Sequence, residues 1–380
     1  MFKNEYILIR NLATLIILCN ILYWFFPFPP VVWRVALVLL SSFVIIFKEG
    51  RKTGCEKTVL LFVVLNLAYF IVSYLHINPS TTQIGNILCA LLPLSLFVCL
   101  GKKDVMTDKF FVIVSIVFLV ASVFSFYHAQ AGALERIDND SIMDVTVNAT
   151  SKFLFLLPMV FLLKNDIQRL LVMGVIIFFL LMGAKRGNIL AAVFPVVLIV
   201  WYMLKDSLHS VGKTVLVIAA MVVLGYFAYN WFLNNDYLMH RLEQTVEGNS
   251  SGRDVIYAHA WQAWSTSNSA VRYALGYGFD GIVHHPTMFG MHAHNDWLEI
   301  LVDYGLIGIF SYLLIFISFA VLIARTKDLQ TKMVLLSAVS IWFFKTLYSM
   351  GFTEGNMCML MMSLGTAIGQ SNFQNKRIES

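Results

Sequence analysis

The sequence predicts an all-α, polytopic membrane protein of about twelve transmembrane helices, with one long extracytoplasmic loop before the tenth. Three observations predict this. The chain is 59% hydrophobic and 13% charged over 380 residues, with 31 Phe, a balance far from that of a soluble domain. Its apolar residues gather in runs of spanning or near-spanning length. Those runs carry almost no internal charge and are too long for the ten-residue strands of a membrane barrel. Residues 1–380 read as a single integral membrane domain.

The runs lie at 7–28, 31–47, 58–77, 84–100, 109–128, 151–163, 168–183, 188–204, 211–233, 298–324, 331–350 and 355–371. The first is flanked by Arg10 and ends at Pro27-Phe28-Pro29-Pro30, with the next apolar stretch following at once. No small-residue cleavage pattern intervenes, so it reads as an uncleaved helix. The run at 151–163 would rise only about 20 Å against a hydrocarbon core of about 30 Å, which leaves ten or eleven spans as alternatives. Residues 234–297 form the longest connection, too long for a simple linker between packed helices. Its Tyr257, Trp261, Trp264, Tyr273, Tyr277 and Phe279 predict short interfacial helices. One of these is opened by Arg253 and Asp254 and capped by Ser250 or Ser251.

Charge orients the chain. With both termini inside, the short cytoplasmic loops collect eighteen of the 27 basic residues, as short inside loops do. The others are Arg34, Arg136, Lys152, Lys185, Arg186, Arg241, Arg253, Arg272 and Lys345, which fall outside or near outer helix ends. The net charge of +5 is therefore orientation signal and not a nucleic-acid footprint. Cys19, Cys89, Cys99 and Cys358 fall within spans and Cys55 in an inner loop, so no disulfide is expected outside and no Cys/His metal spacing exists. Internal repeats of the kind that build many transporters are not visible.

A polar island, His292-Ala293-His294-Asn295-Asp296-Trp297-Leu298-Glu299, stands where the long loop meets the tenth run. His294 is the candidate base, since a neutral imidazole takes a proton near neutral pH without a metal. Asn295, Glu299 and Asp303 fall four apart on one helix face, with Asp296 beside it. The plainer reading of Asp296 and Glu299 is charge stabilisation at a helix start, and of His292, His284 and His285 a polar surface. Arg186, with Lys185, sits at an outer helix end between Gly183 and Gly187. Its planar fork suits phosphate oxygens, whereas snorkelling to headgroups is the plainer alternative. Arg253 adds a second fork on the same membrane face. Asp138-Asn139-Asp140 is a DxD, more simply a polar turn than a metal site.

The segments Lys185-Arg186-Gly187, Ser251-Gly252-Arg253, Ala274-Leu275-Gly276-Tyr277-Gly278-Phe279, and His292 through Gly308 occur in one order. That ordered set resembles the signature of the O-antigen ligase and polymerase membrane-protein family, over about 183–310. Lys185 departs from the Ser or Thr usual before the family's first arginine. The resemblance implies a GT-C-like helical architecture and a metal-independent, cofactor-free, inverting glycosyltransferase with an outer-face cavity. It implies Arg186, Arg253 and His294 as catalytic residues, with Lys185, His292, Asn295, Asp296 and Glu299 contacting substrate. The implied donor is undecaprenyl-pyrophosphate-linked glycan, and the acceptor a second lipid-linked repeat (polymerase) or lipid A-core (ligase). The compact loop and chain length favour the polymerase. A flippase and a chain-length regulator are implied partners, and a bacterial inner membrane the location, with residues 234–297 as a periplasmic catalytic loop. A lipid-linked glycan transporter is the rival of a different class.

Overall fold

The structure, a computed structural model, describes residues 2–25, 32, 34–40, 42, 52–102, 108–137, 149–183, 185–207, 211–234 and 252–379. The helices run, in order, α1 (Phe2–Phe25), α2 (Gly54–Tyr74), α3 (Thr81–Leu91), α4 (Pro93–Lys102), α5 (Asp108–Ile137), α6 (Thr150–Val160), α7 (Asp166–Met182), α8 (Arg186–Ser207) and α9 (Val211–Leu233). There follow α10 (Arg253–Ser265), α11 (Ala270–Leu275), α12 (Gly281–His284), a 3-10 turn (Pro286–Met288), α13 (Asp296–Arg325), α14 (Leu329–Tyr348) and α15 (Cys358–Glu379). Among the described residues the fold is all-α, without a strand.

Six helices among the described residues are long and apolar enough to cross a membrane, not about twelve: Ile7–Phe25, Gly54–Tyr74, Thr81–Lys102, Val112–Ala131, Arg186–Lys205 and Asp296–Arg325. This corrects both the expected count and the GT-C-like architecture that went with it. The reasons are local. The run at 151–163 yields α6, only 11 residues with Pro158 inside, a rise of about 17 Å. That at 168–183 yields the 17-residue α7, which is short of a span. Helix α14 carries Lys332 and Lys345 among hydroxyl residues, and α15 ends in a polar stretch after Gly369. Most of the run at 31–47 lies outside the described residues, and α9 covers 211–233 with side chains described only in part.

The chain divides into two compact units. The first comprises residues 1–105, 250–327 and 342–380. Its α2 begins in a capping box, with Thr53 Oγ1 accepting from Glu56 N at 3.2 Å and Glu56 Oε2 from Thr53 N at 2.8 Å. Helices α4 and α15 meet backbone to backbone. A Cβ on Gly101 would lie 2.4 Å from Thr366 O, and one on Gly369 2.5 Å from Val98 O. Gly365-Thr366-Ala367-Ile368-Gly369 is thus a small-residue seam of the kind that joins membrane helices.

The second unit comprises 106–249 and 328–341. Its centre is α6, buried along its whole length. Phe153 stacks on Phe179 of α7 at 4.6 Å, with Phe126 of α5 edge-on to both.

Helix α13 is two arms. Gly305 (φ 62, ψ −154) interrupts it, a backbone conformation open to glycine almost alone.

Candidate functional site

The polar island is organised by the start of α13. Asn295 caps this helix: its Oδ1 accepts from Trp297 N at 2.9 Å and Leu298 N at 3.2 Å, donors no helical carbonyl reaches. Its Nδ2 donates to Leu347 O at 3.1 Å. Two further groups reach the same end of α14. Tyr257 Oη donates to Leu347 O at 3.3 Å, and Arg253 Nη1 to Tyr348 O at 2.9 Å. The last carbonyls of a helix carry its negative end, which suits a guanidinium. Arg253 itself opens α10, whose N-cap position is Gly252 at φ 76 with no side-chain cap bond. Ser250 and Ser251, the caps expected there, lie outside the described residues; Gly252 is left-handed and turns the chain into the helix.

The island's carboxylates face different ways. Asp296, fully buried, accepts from Gly351 N at 2.8 Å through Oδ1, and from Tyr312 Oη at 2.8 Å and Phe352 N at 3.3 Å through Oδ2. Glu299, equally buried, faces the preceding loop. Its Oε1 lies 2.5 Å from His292 Nδ1, and its Oε2 accepts from Ala293 N at 2.8 Å. Four residues on, Asp303 Oδ1 accepts from Ile282 N at 2.7 Å. Glu299 and Asp303 therefore share a face as their spacing predicts. Both carry specific bonds that go beyond charge compensation at a helix start.

The break at Gly305 frees the carbonyls of Val302 and Asp303, and the preceding loop takes them. Tyr277 N donates to Val302 O at 2.9 Å and Gly278 N to Asp303 O at 2.8 Å. A Cβ on Gly276 would fall 2.4 Å from Asp303 O, and one on Gly305 2.6 Å from Ala274 O. Phe279 N donates to Ser73 Oγ at 2.8 Å, and Asp280 Oδ2 accepts from Ser80 N at 2.7 Å, which fastens the loop to α2 and α3. Beside it, a mostly apolar groove of about 470 Å³ runs between Tyr69, Val72, Leu275 and Tyr277.

Electrostatics distinguish the histidines. Burial opposes charge on His292, but the Glu299 hydrogen bond and the Glu299 and Asp280 carboxylates outweigh it and hold the imidazole above its ordinary value. Burial and the Arg272 charge push His285 down. His294 is exposed and left-handed, at φ 53.

Lys185 and Arg186 belong to the second unit and are half-buried. Arg186 opens α8. Asn188 Nδ2 donates to Thr150 Oγ1 at 2.8 Å, and the backbone at Gly183 is pressed against Thr150, so the 183–188 turn is packed on the first turn of α6. The first unit brings together His292, Asn295, Glu299 and Arg253, with His294 among them in sequence. Asp138 and Asp140 lie outside the described residues. Among the described residues no group of three His, Cys, Asp or Glu is placed to hold a metal. Tyr312, Gly351, Tyr257 and the Leu347 and Tyr348 carbonyls were not legible as site components; Gly351 in a hydroxyl-rich stretch is the nearest to a signal.

Multiple apolar spanning helices and a buried polar island at the head of one of them define a multi-pass α-helical membrane protein. Residues 171–313 match the family model described as O-antigen ligase. That stretch, less than half of the chain, holds Arg186, Arg253 and the whole island, and there the chain is similar to the O-antigen ligase family. No curated protein matches the chain.

Proposed function

We propose that the protein is a metal-independent, inverting glycosyltransferase that moves a glycan from undecaprenyl pyrophosphate to a lipid acceptor at the periplasmic face of a bacterial inner membrane. The observation that carries this reading is the O-antigen ligase match over 171–313, which spans both arginines and the bonded island. In the proposed step the acceptor hydroxyl oxygen attacks the anomeric carbon from the side opposite the pyrophosphate. His294 takes the hydroxyl proton as the new C–O bond forms, and the old C–O bond breaks with its electron pair leaving on the pyrophosphate. Arg186 and Arg253 neutralise that charge. Lys185 adds charge beside Arg186, while His292, Asn295, Asp296 and Glu299 hold the loop–helix junction that carries His294. The apolar groove beside Gly276 and Gly278 supports a donor with a hydrocarbon tail.

Between the two acceptors, the ligase description of the matching family favours lipid A-core over the second lipid-linked repeat that chain length and loop size favoured. His292 is a second reading for the base, favoured by its contact with buried Glu299, the arrangement in which a carboxylate orients an imidazole. The deciding experiment is reconstitution with purified lipid-linked glycan and either lipid A-core or a second repeat. A product shifted to lipid A-core mobility is expected. A ladder of lengthened lipid-linked glycan would assign the polymerase, and donor translocated across the vesicle with no new bond would assign a transporter.

A further inference from the structure

Glu299 has no exposed surface, and both of its oxygens reach back to the chain ahead of its own helix. Oε1 holds His292 Nδ1 at 2.5 Å and Oε2 holds Ala293 N at 2.8 Å. These are the two residues immediately before His294. Ala293 is also pinned by packing, in a buried cluster with Ala260, Ala263, Ile282, Met288 and Val302. On the other side of His294, Asn295 is fixed by its cap bonds to Trp297 and Leu298 and by its donation to Leu347 O. His294 is therefore gripped from both flanks in a left-handed conformation, φ 53, that is uncommon for residues bearing a side chain.

We propose that Glu299, with His292 as its second anchor, is the positioning residue that sets the direction of the His294 imidazole. This rests on the reading above in which His294 takes the acceptor's proton. A buried carboxylate suits the task because it accepts from two donors at once, and because burial keeps water from competing for them. Without it, Ala293 N would lose its partner and the 292–294 turn would relax away from the left-handed form. A displacement of about 1 Å at a reacting group lowers a rate by about 10²-fold while leaving substrate binding elsewhere unchanged.

The test measures transfer rate and donor KM, with melting temperature alongside, for the reconstituted full chain carrying Glu299→Ala, Glu299→Gln, His292→Ala, His292→Asn or His294→Ala. Glu299→Ala is expected to lower the rate about 10²-fold at unchanged donor KM. Glu299→Gln should recover most of it, since an amide accepts from Ala293 N and donates to the ring nitrogen. His292→Asn should likewise outperform His292→Ala, because its Nδ2 stands where Nδ1 stood. Wild-type rate in folded Glu299→Ala, beside an inactive His294→Ala, overturns the positioning role and leaves the base in place. So does a loss confined to melting temperature or shared equally by KM. Wild-type rate in His294→Ala overturns the base assignment itself and takes the positioning role with it.

Discussion

Tyr312 Oη donates to Asp296 Oδ2 at 2.8 Å although both residues belong to α13. In a straight helix their Cα atoms would stand about 24 Å apart. The contact exists because Gly305 turns the first arm of α13 back along the second, and Trp297 packs on Tyr312 at 5.3 Å for the same reason. Gly305→Ala should therefore be among the most damaging single changes in the chain. It would force a strained φ and bring a methyl to 2.6 Å of the Ala274 backbone. Tyr312→Phe should cost about 1–3 kcal/mol, leaving the Asp296 carboxylate and the Trp342 N–H that donates to Tyr312 Oη each short of a partner. Thermal denaturation in detergent checks both, with Gly305→Ala the larger loss.

The His292–Glu299 pair gives a signed pH dependence. The folded protein holds His292 above the ordinary histidine value, about 6.5 in an unfolded chain. Its contribution to stability is thus fully present below that unfolded value and is lost as pH rises through the raised folded one. Melting temperatures of wild type and Glu299→Gln, compared across pH, should differ most at acid pH and converge as the medium becomes alkaline. A gap that widened with pH would reverse the sign.

The arginines predict a charge-geometry split. Arg186→Lys keeps the charge but loses the bidentate fork, so transfer should stay defective by roughly tenfold or more, as losing a charged hydrogen bond of about 1.5–3 kcal/mol implies. Arg253→Ala should lose a similar amount, and Lys185→Ala less. If Arg186→Lys and Arg186→Ala both transferred at wild-type rate, Arg186 would be a helix anchor only.

His294→Ala should lose single-turnover transfer by roughly 10²–10⁴-fold while still binding lipid-linked donor. Donor binding lost in parallel with rate would move His294 from proton transfer to pyrophosphate recognition.

Chelation makes a separate test. Reconstituted transfer should survive EDTA, and Asp138→Ala with Asp140→Ala should retain most activity, because the arginines supply the countercharge. Activity abolished by EDTA and restored by Mg²⁺ or Mn²⁺ would shift attention to the DxD turn.

Part of this site can be read from the sequence because it is local. Asn295 ahead of an apolar run is a capping signal, and Glu299 and Asp303 share a face by spacing alone. For Asp296 the sequence leaves helix-start charge and a site role both open, because its partners, Tyr312, Gly351 and Phe352, lie 16 or more residues away and Tyr312 is reached through the Gly305 break. A lone glycine in an apolar run gives no warning of such a break. His292 reads from its residues as polar surface for a similar reason, since nothing in a two-residue offset from His294 announces a bond to Glu299. The span count failed where apolar runs were interrupted by Pro158 or diluted by Lys332 and Lys345. The first cuts a helix short, and the second lowers the apolarity of a helix that is otherwise long enough.

The glycine seam between α4 and α15 bears on the order in which the first unit is completed. Gly101 emerges early and its partner Thr366 some 265 residues later; at synthesis rates of about 5–20 residues per second the interval is roughly 13–53 s. Through that interval α4, buried along most of its length in the finished protein, lacks the helix that will cover it. Bulky substitutions at Gly365 or Gly369 would then act during biogenesis, leaving inserted but unclosed chains as targets for membrane proteases.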